Sequence, residues 1–233
     1  MHASGTLHRR VLVNAVVDPE EAAHRLPDGV RPHVTAGGTV VGCCLLEIQH
    51  VRPARLPAGV GITLRAAAHR ISAEWDDGSG GRVVGVYVPD RRTDSRLAVA
   101  LGGRWFPGVH HHARVGISET SEGFSWQIQD DGQFGIAVAV SVPQDHVAAG
   151  VCDPIGGTCL GATIGLSPDR SGALEAARME LQHRNAREVI VDDLDSAFIS
   201  SFSTAAPAPA YLMENIGVTW TPAAAPRFAS VAA

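Results

Sequence analysis

The sequence predicts a β-rich α+β fold, a barrel or sandwich of many short strands with two helices, contained in one domain over residues 1–233. Three observations carry that expectation. Apolar runs read as strands at 11–17, 39–48, 60–73, 82–88, 96–101, 134–142 and 159–165, separated by glycine or proline punctuation. Further strand candidates lie at 189–191, 197–202 and 216–220. Helix signals occur in only two places, and no internal repeat interrupts the pattern.

The first strand is Val11-Leu12-Val13-Asn14-Ala15-Val16-Val17, ended by Asp18-Pro19. Asp18 opens a short helix because its carboxylate can accept from the free N–H groups of the first turn, and Pro19 suits the first helical position. The Leu26-Pro27-Asp28-Gly29 turn stops it. A second helix is expected to start at Ser167-Pro168-Asp169 and run to about Asn185, since Leu174, Ala177 and Leu181 recur at helical spacing. The stretch from Ala205 to Ala210, with Pro207 and Pro209, reads as a stiff loop, and the tail after Pro222 as frayed.

Composition narrows the function classes. Hydrophobic residues make up 45% of the chain and charged residues 18%, the balance of a soluble globular protein. A net charge of -5 disfavours a nucleic-acid partner, whose surface would call for a basic chain. No apolar run approaches the roughly 18 residues of a membrane span, and the first residues lack the apolar core of a signal peptide. A cytoplasmic protein with no membrane partner is expected. Cys43 and Cys44 are adjacent in an apolar run, and the six-residue gap between Cys152 and Cys159 matches no common zinc knuckle, so the cysteines read as free thiols.

The chain contains no lysine, and all 19 basic side chains are arginine. A side-chain Schiff base is therefore excluded, as is pyridoxal phosphate held on lysine. A Walker phosphate loop, which needs Gly-Lys-Ser/Thr, is excluded too.

Polar residues concentrate in Asp90-Arg91-Arg92-Thr93-Asp94-Ser95-Arg96, followed after an apolar run by Gly102-Gly103-Arg104-Trp105-Phe106-Pro107-Gly108-Val109-His110-His111-His112. On a strand His110 and His112 share one face and His111 takes the other. The arginines at 91–96 can form an oxyanion-binding rim or a self-neutralising loop.

This segment resembles acetoacetate decarboxylase. In that family a Gly-Arg-Glu segment leads through a small residue, an aromatic and a proline to a lysine pair, whose first lysine forms the Schiff base. Here Gly103-Arg104 matches the Gly-Arg, Gly108 and Val109 occupy the small and aromatic positions, and His110 replaces the proline. His111-His112 stand where the lysine pair would be. Upstream, the segment from Val17 through Leu26-Pro27-Asp28-Gly29-Val30 is similar to the family's helix and its Leu-Pro turn. The resemblance implies a β-barrel or cone with a central cavity and a few flanking helices. It places the catalytic arginine among His8, Arg9 and Arg10, with Arg10 favoured, and a cavity carboxylate at Glu47. The departure at the lysine removes imine-forming decarboxylation.

The expectation is then an enzyme doing non-covalent acid–base chemistry in the cavity on a carbonyl or carboxylate compound, by dehydration, aldol-type reaction, enolisation or cyclisation. His111 would shuttle the proton, because an imidazole is readily poised near neutrality. Arg10 or Arg104 would hold the oxyanion, oriented by Glu47. Arg92, Asp94, Trp105 and Phe106 would contact substrate. No cofactor is expected, and a homo-oligomer is compatible with the reading. Two alternatives stand beside it, a binding barrel without catalysis and a metal enzyme with His110 and His112 as ligands.

Overall fold

A computed structural model of the chain describes residues 2–35, 37–102, 108–130, 135–143 and 154–226. Among these the elements follow as β1 (Ala3–Val17), α1 (Pro19–Ala23), β2 (Val30–Pro32), β3 (Val34–Thr35), β4 (Gly38–Pro53), a 3-10 turn (Ala58–Val60), β5 (Ile62–Asp76), β6 (Arg82–Tyr87), β7 (Arg91–Thr93) and α2 (Arg96–Leu101). Then come β8 (His111–His112), β9 (Arg114–Glu119), β10 (Gly123–Gln129), β11 (Ile136–Ser141), α3 (Pro154–Gly161), β12 (Ile164–Pro168), β13 (Leu174–Leu181), β14 (Arg187–Ser196), α4 (Ala197–Ser200) and β15 (Ala206–Ala223).

Seven strands close into a barrel in the order β1-β4-β5-β6-β12-β13-β15, and β15 returns to pair with β1. The barrel contacts are antiparallel except β6 with β12, which run parallel. From β15 the ladder continues outward through β14, β11, β10 and β9. That second sheet lies over the outer face of β1, β4 and β5. Phe124, Trp126, Ile128, Ile136, Val138 and Val140 pack there against Val11, Val13, Val41, Cys43, Leu45, Ala67 and Ile71. Residues two apart on a strand share a face, so the intervening side chains Arg10, Leu12, Asn14, Cys44, Leu46, Ala68 and Arg70 turn into the barrel.

The early elements lie where the local chemistry puts them. Asp18 caps α1, its Oδ1 accepting from Glu20 N at 2.7 Å, with Pro19 first in the helix. Several later expectations are corrected. The helix expected over 167–185 is absent, and residues 167–181 lie in the β12–β13 hairpin. Asp169 Oδ1 accepts from Ser171 N, Ser171 Oγ and Ala173 N, and Gly172 adopts φ 87°, which closes a tight turn. The helical spacing of Leu174, Ala177 and Leu181 was overridden because β13 finds a ladder partner in β15.

The apolar runs at 96–101 and 197–202, expected as strands, carry helices α2 and α4 instead. The cause is capping by the preceding serine in each: Ser95 Oγ accepts from Ala98 N at 3.2 Å and Ser196 Oγ from Ile199 N at 3.4 Å. The run at 159–165 divides between α3 and β12. The expected loop at 205–210 is the start of β15, with Ala206, Pro207 and Ala208 opposite Val16, Ala15 and Asn14. The β9–β10 hairpin had no counterpart among the expected strands, because its residues alternate with polar ones too weakly to mark a run.

Gly42 shows how close β1 and β4 approach: a side-chain carbon there would collide with the Val13 carbonyl. Gly42→Ala is expected to destabilise the protein by about 1–3 kcal/mol through overpacking. A lowered urea midpoint at unchanged m-value would verify it.

Candidate active site in the barrel cavity

Three arginines enter the barrel from different strands. Arg10 comes from β1, Arg70 from β5 and Arg91 from β7, and all three line one lobe of the cavity with Cys44, Val88, Cys159, Ala177, Met179 and Trp220. Arg10 and Arg70 are only 6% and 5% exposed, so their charges are held almost entirely away from water. Among the described residues no carboxylate pairs with any of the three and none lines this lobe.

Their partners are neutral. Arg10 reaches sulfur, with Nε 3.5 Å from Cys44 Sγ and Nη1 3.8 Å from Met213 Sδ. Arg70 Nη2 donates to Asn14 Oδ1, and Asn14 is itself fixed because its Nδ2 donates to the Pro209 carbonyl at 2.6 Å. Arg91 Nη2 donates to Ser167 Oγ at 2.7 Å. The Nε atoms of Arg70 and Arg91 are buried without a hydrogen-bond partner. Burial brings the Arg91 guanidinium down to about 10, partly offset by Cys44, which still leaves it cationic at neutral pH. Buried cations without acids are costly, and an anion drawn among them would offset the cost.

A second lobe adjoins the first and shares Leu46, Ala68, Arg91, Ala177 and Trp220 with it. Here the histidine is His110, whose Nδ1 lies 3.1 Å from the Gly108 carbonyl. A carbonyl can only accept, so Nδ1 carries the proton and Nε2 keeps its lone pair. Burial first, then the neighbouring Arg91 charge, lower His110 to about 4, against the Gly108 hydrogen bond that raises it. The ring is neutral at pH 7.

The expected proton shuttle, His111, is placed elsewhere. β7 and β8 pair with Arg92 opposite His111 and Thr93 opposite His112. That register puts His110 beside Arg91, on the cavity side, and turns His111 with Arg92 to the other. A shift of one residue exchanges every face, so it is His110 and not His111 that lines the cavity. His111 is exposed and borders a surface groove with Val109, Asp169 and Arg170. His112 is exposed as well, so His110 and His112 do not converge, and no group of three or more metal-ligating side chains occurs among the described residues.

Glu47 also lies off the cavity. It sits between Leu46 and Ile48, which line the apolar lobe, and its Oε1 is 3.7 Å from Arg65 Nε on the outer face. Asp94 is taken by Arg65 too, accepting from its backbone N at 2.8 Å. Arg92 is bound by Asp90 and by Asp130, the latter at 2.7 Å. Of the three N-terminal candidates Arg10 faces inward, while Arg9 turns outward over the Phe124 ring and pairs with Glu119 at 2.7 Å. Arg104, Trp105, Phe106 and Cys152 lie outside the described residues. Arg70 was missed by the sequence reading. Its signal was a charge sharing parity with Ala66 and Ala68 in an apolar strand, positions that face the cavity.

No family model and no curated protein matches the sequence. Solved structures match over nearly all of the chain. Acetoacetate decarboxylase from Legionella pneumophila superposes with a TM-score of 0.64 at 12% identity, covering 94% of this chain and 84% of the other. The chain has the acetoacetate decarboxylase-like fold. An acetoacetate decarboxylase-like enzyme from Sphingomonas wittichii RW1 gives a TM-score of 0.61 at 12% identity, over 94% and 89% of the two chains. The enduracididine biosynthesis enzyme MppR, complexed with the condensation product of pyruvate and imidazole 4-carboxaldehyde, gives 0.60 at 14%, over 94% and 86%. At these identities what is shared is the fold, built in this chain without a lysine.

Replacing Arg10 with methionine removes a buried charge whose partners are sulfur atoms. Arg10→Met is expected to stabilise the ligand-free protein, by about 1 kcal/mol or more, and to weaken anion binding. Urea unfolding with and without a small carboxylate such as acetate tests both signs; a destabilised ligand-free variant would argue against an uncompensated cation.

Proposed function

We propose that the protein is a small-molecule enzyme that binds an oxo-carboxylate in the barrel and moves a proton on it without a covalent intermediate. Arg10 and Arg70 hold the carboxylate, Arg91 stabilises the carbonyl oxygen as it becomes an enolate, and His110 Nε2 takes the proton. The observation that carries this reading is the convergence of three guanidinium groups, with no acid beside them among the described residues, next to a neutral imidazole. Such donors favour a developing oxyanion strongly in a site shielded from water.

The electrostatics give the cavity a built-in response. A bound carboxylate offsets the Arg91 field, which is the second cause of the depressed His110. Substrate binding therefore raises the basicity of His110 toward the ordinary imidazole range, and the base strengthens when substrate is present. The chemistry compatible with this set is enolisation, with aldol-type bond formation or dehydration following from the enolate. The binding of pyruvate by MppR, a protein of the same fold, supports starting with 2-oxo acids.

Incubation with pyruvate in deuterium oxide, followed by proton NMR, tests the reading. The methyl protons are expected to exchange faster than in buffer. His110→Gln should slow that exchange by about 10²-fold or more while pyruvate still raises the Tm. The apparent kcat/KM should fall as pH drops through about 4, because only neutral His110 accepts a proton. Unchanged exchange in His110→Gln would overturn the assignment. A low His110 basicity also favours a binding barrel without turnover, which wild-type protein that binds 2-oxo acids but never exchanges their protons would establish.

The lysine-free sequence yields a further expectation. Cyanoborohydride treatment with pyruvate should leave every internal peptide at its unmodified mass; a reduced adduct on a side chain would require an amine the chain does not contain.

A further inference from the structure

The proposed reaction holds the carboxylate in one of the two cavity lobes and uses only Arg91 and His110 of the other. The lobe holding Arg10, Arg70 and Arg91 has a volume of about 120 Å³ and its neighbour one of about 110 Å³. A group the size of pyruvate satisfies the first and leaves the second unfilled. The second lobe is lined by Leu46, Ile48, Val51, Leu64, Ala66 and Trp220 among others, and its polar members are Arg91 and His110. Both stand at or beside the wall common to the two lobes, where the reacting carbon would lie.

The space is created by small side chains. Ala66 and Ala68 on β5, Ala98 on α2 and Ala177 on β13 line the lobe, where larger aliphatic residues would close it. Water there meets few hydrogen-bonding partners, so its displacement by an apolar group is favourable.

From this division, and resting on the proposed function above, we infer that the substrate is two-ended: an oxo-carboxylate head held by the arginines and an apolar tail of several carbons, alkyl or aryl, laid in the alanine-lined lobe. The head is oriented inward and the tail runs past His110 toward α2. Short oxo acids such as pyruvate occupy the head position and leave the tail position unused.

Isothermal titration of the full-length protein with pyruvate, 2-oxobutanoate, 2-oxohexanoate, 2-oxo-octanoate and phenylpyruvate tests the inference, with octanoate as the acid lacking the oxo group. Affinity is expected to rise roughly three- to fourfold per methylene until the lobe is full, and phenylpyruvate to bind more tightly than pyruvate. Filling the lobe from two different elements with Ala66→Leu or Ala98→Leu should reduce the ratio of 2-oxo-octanoate to pyruvate affinity by tenfold or more. Each variant serves as its own reference through its pyruvate affinity, and circular dichroism shows which of the two is folded. Equal affinity for pyruvate and 2-oxo-octanoate in the wild type would overturn the two-ended substrate and leave the oxo-carboxylate reading intact. Chain-length dependence that persists unchanged in Arg10→Met, with octanoate bound as tightly as 2-oxo-octanoate, would overturn the head assignment instead.

Discussion

The pairing of β1 with both β4 and β15 is the constraint from which the site follows. It closes the ladder into a ring, so each strand residue has an inside or an outside and no third option. On β1 the inside receives Arg10, Leu12 and Asn14, and the outside receives Arg9, Val11 and Val13. On β5 the inside receives Ala66, Ala68 and Arg70, and the outside receives Arg65, Ala67 and His69. The second sheet covers the outer face over β1, β4 and β5, and the cavity is what the inner face leaves unfilled.

Closure also sorts the charges. On the outer face arginines meet acids: Arg9 with Glu119, Arg65 with Glu47, Arg92 with Asp90 and Asp130. On the inner face Arg10, Arg70 and Arg91 meet sulfur, amide and hydroxyl groups instead. The same residue type is therefore paired with acids on one side of the wall and, among the described residues, with neutral groups on the other. Asn14 ties the two together, because it orients Arg70 while anchoring itself to the carbonyl of Pro209 on the closing strand.

Local chemistry was legible wherever a strand or cap carried its own signal. β1, α1 and the long strands β4 and β5 are where the apolar runs and the Asp18-Pro19 start put them. Elements decided by a distant partner were not legible. The hairpin of β12 and β13 shows helical spacing in sequence yet becomes sheet against β6 and β15. The opening of β15 contains two prolines and reads as loop, yet it pairs with β1 along the barrel seam. At the site Arg10 was legible through its neighbourhood, whereas Glu47 was assigned to the wrong face and Arg70 passed unnoticed. Each error is one of parity, which a single sequence leaves open when both faces of a strand are buried.

The sequence by itself determined the β-rich character of the chain and the chemistry denied to it, since without lysine no side chain can form an imine. It also concentrated arginine and histidine in one segment. Only the tertiary structure decided which of these reach the cavity. The pairing of β7 with β8 sets Arg91 and His110 on one side and Arg92 and His111 on the other. The reason is the two-residue period of a strand: composition fixes which side chains exist, while inter-strand register fixes the face each one occupies.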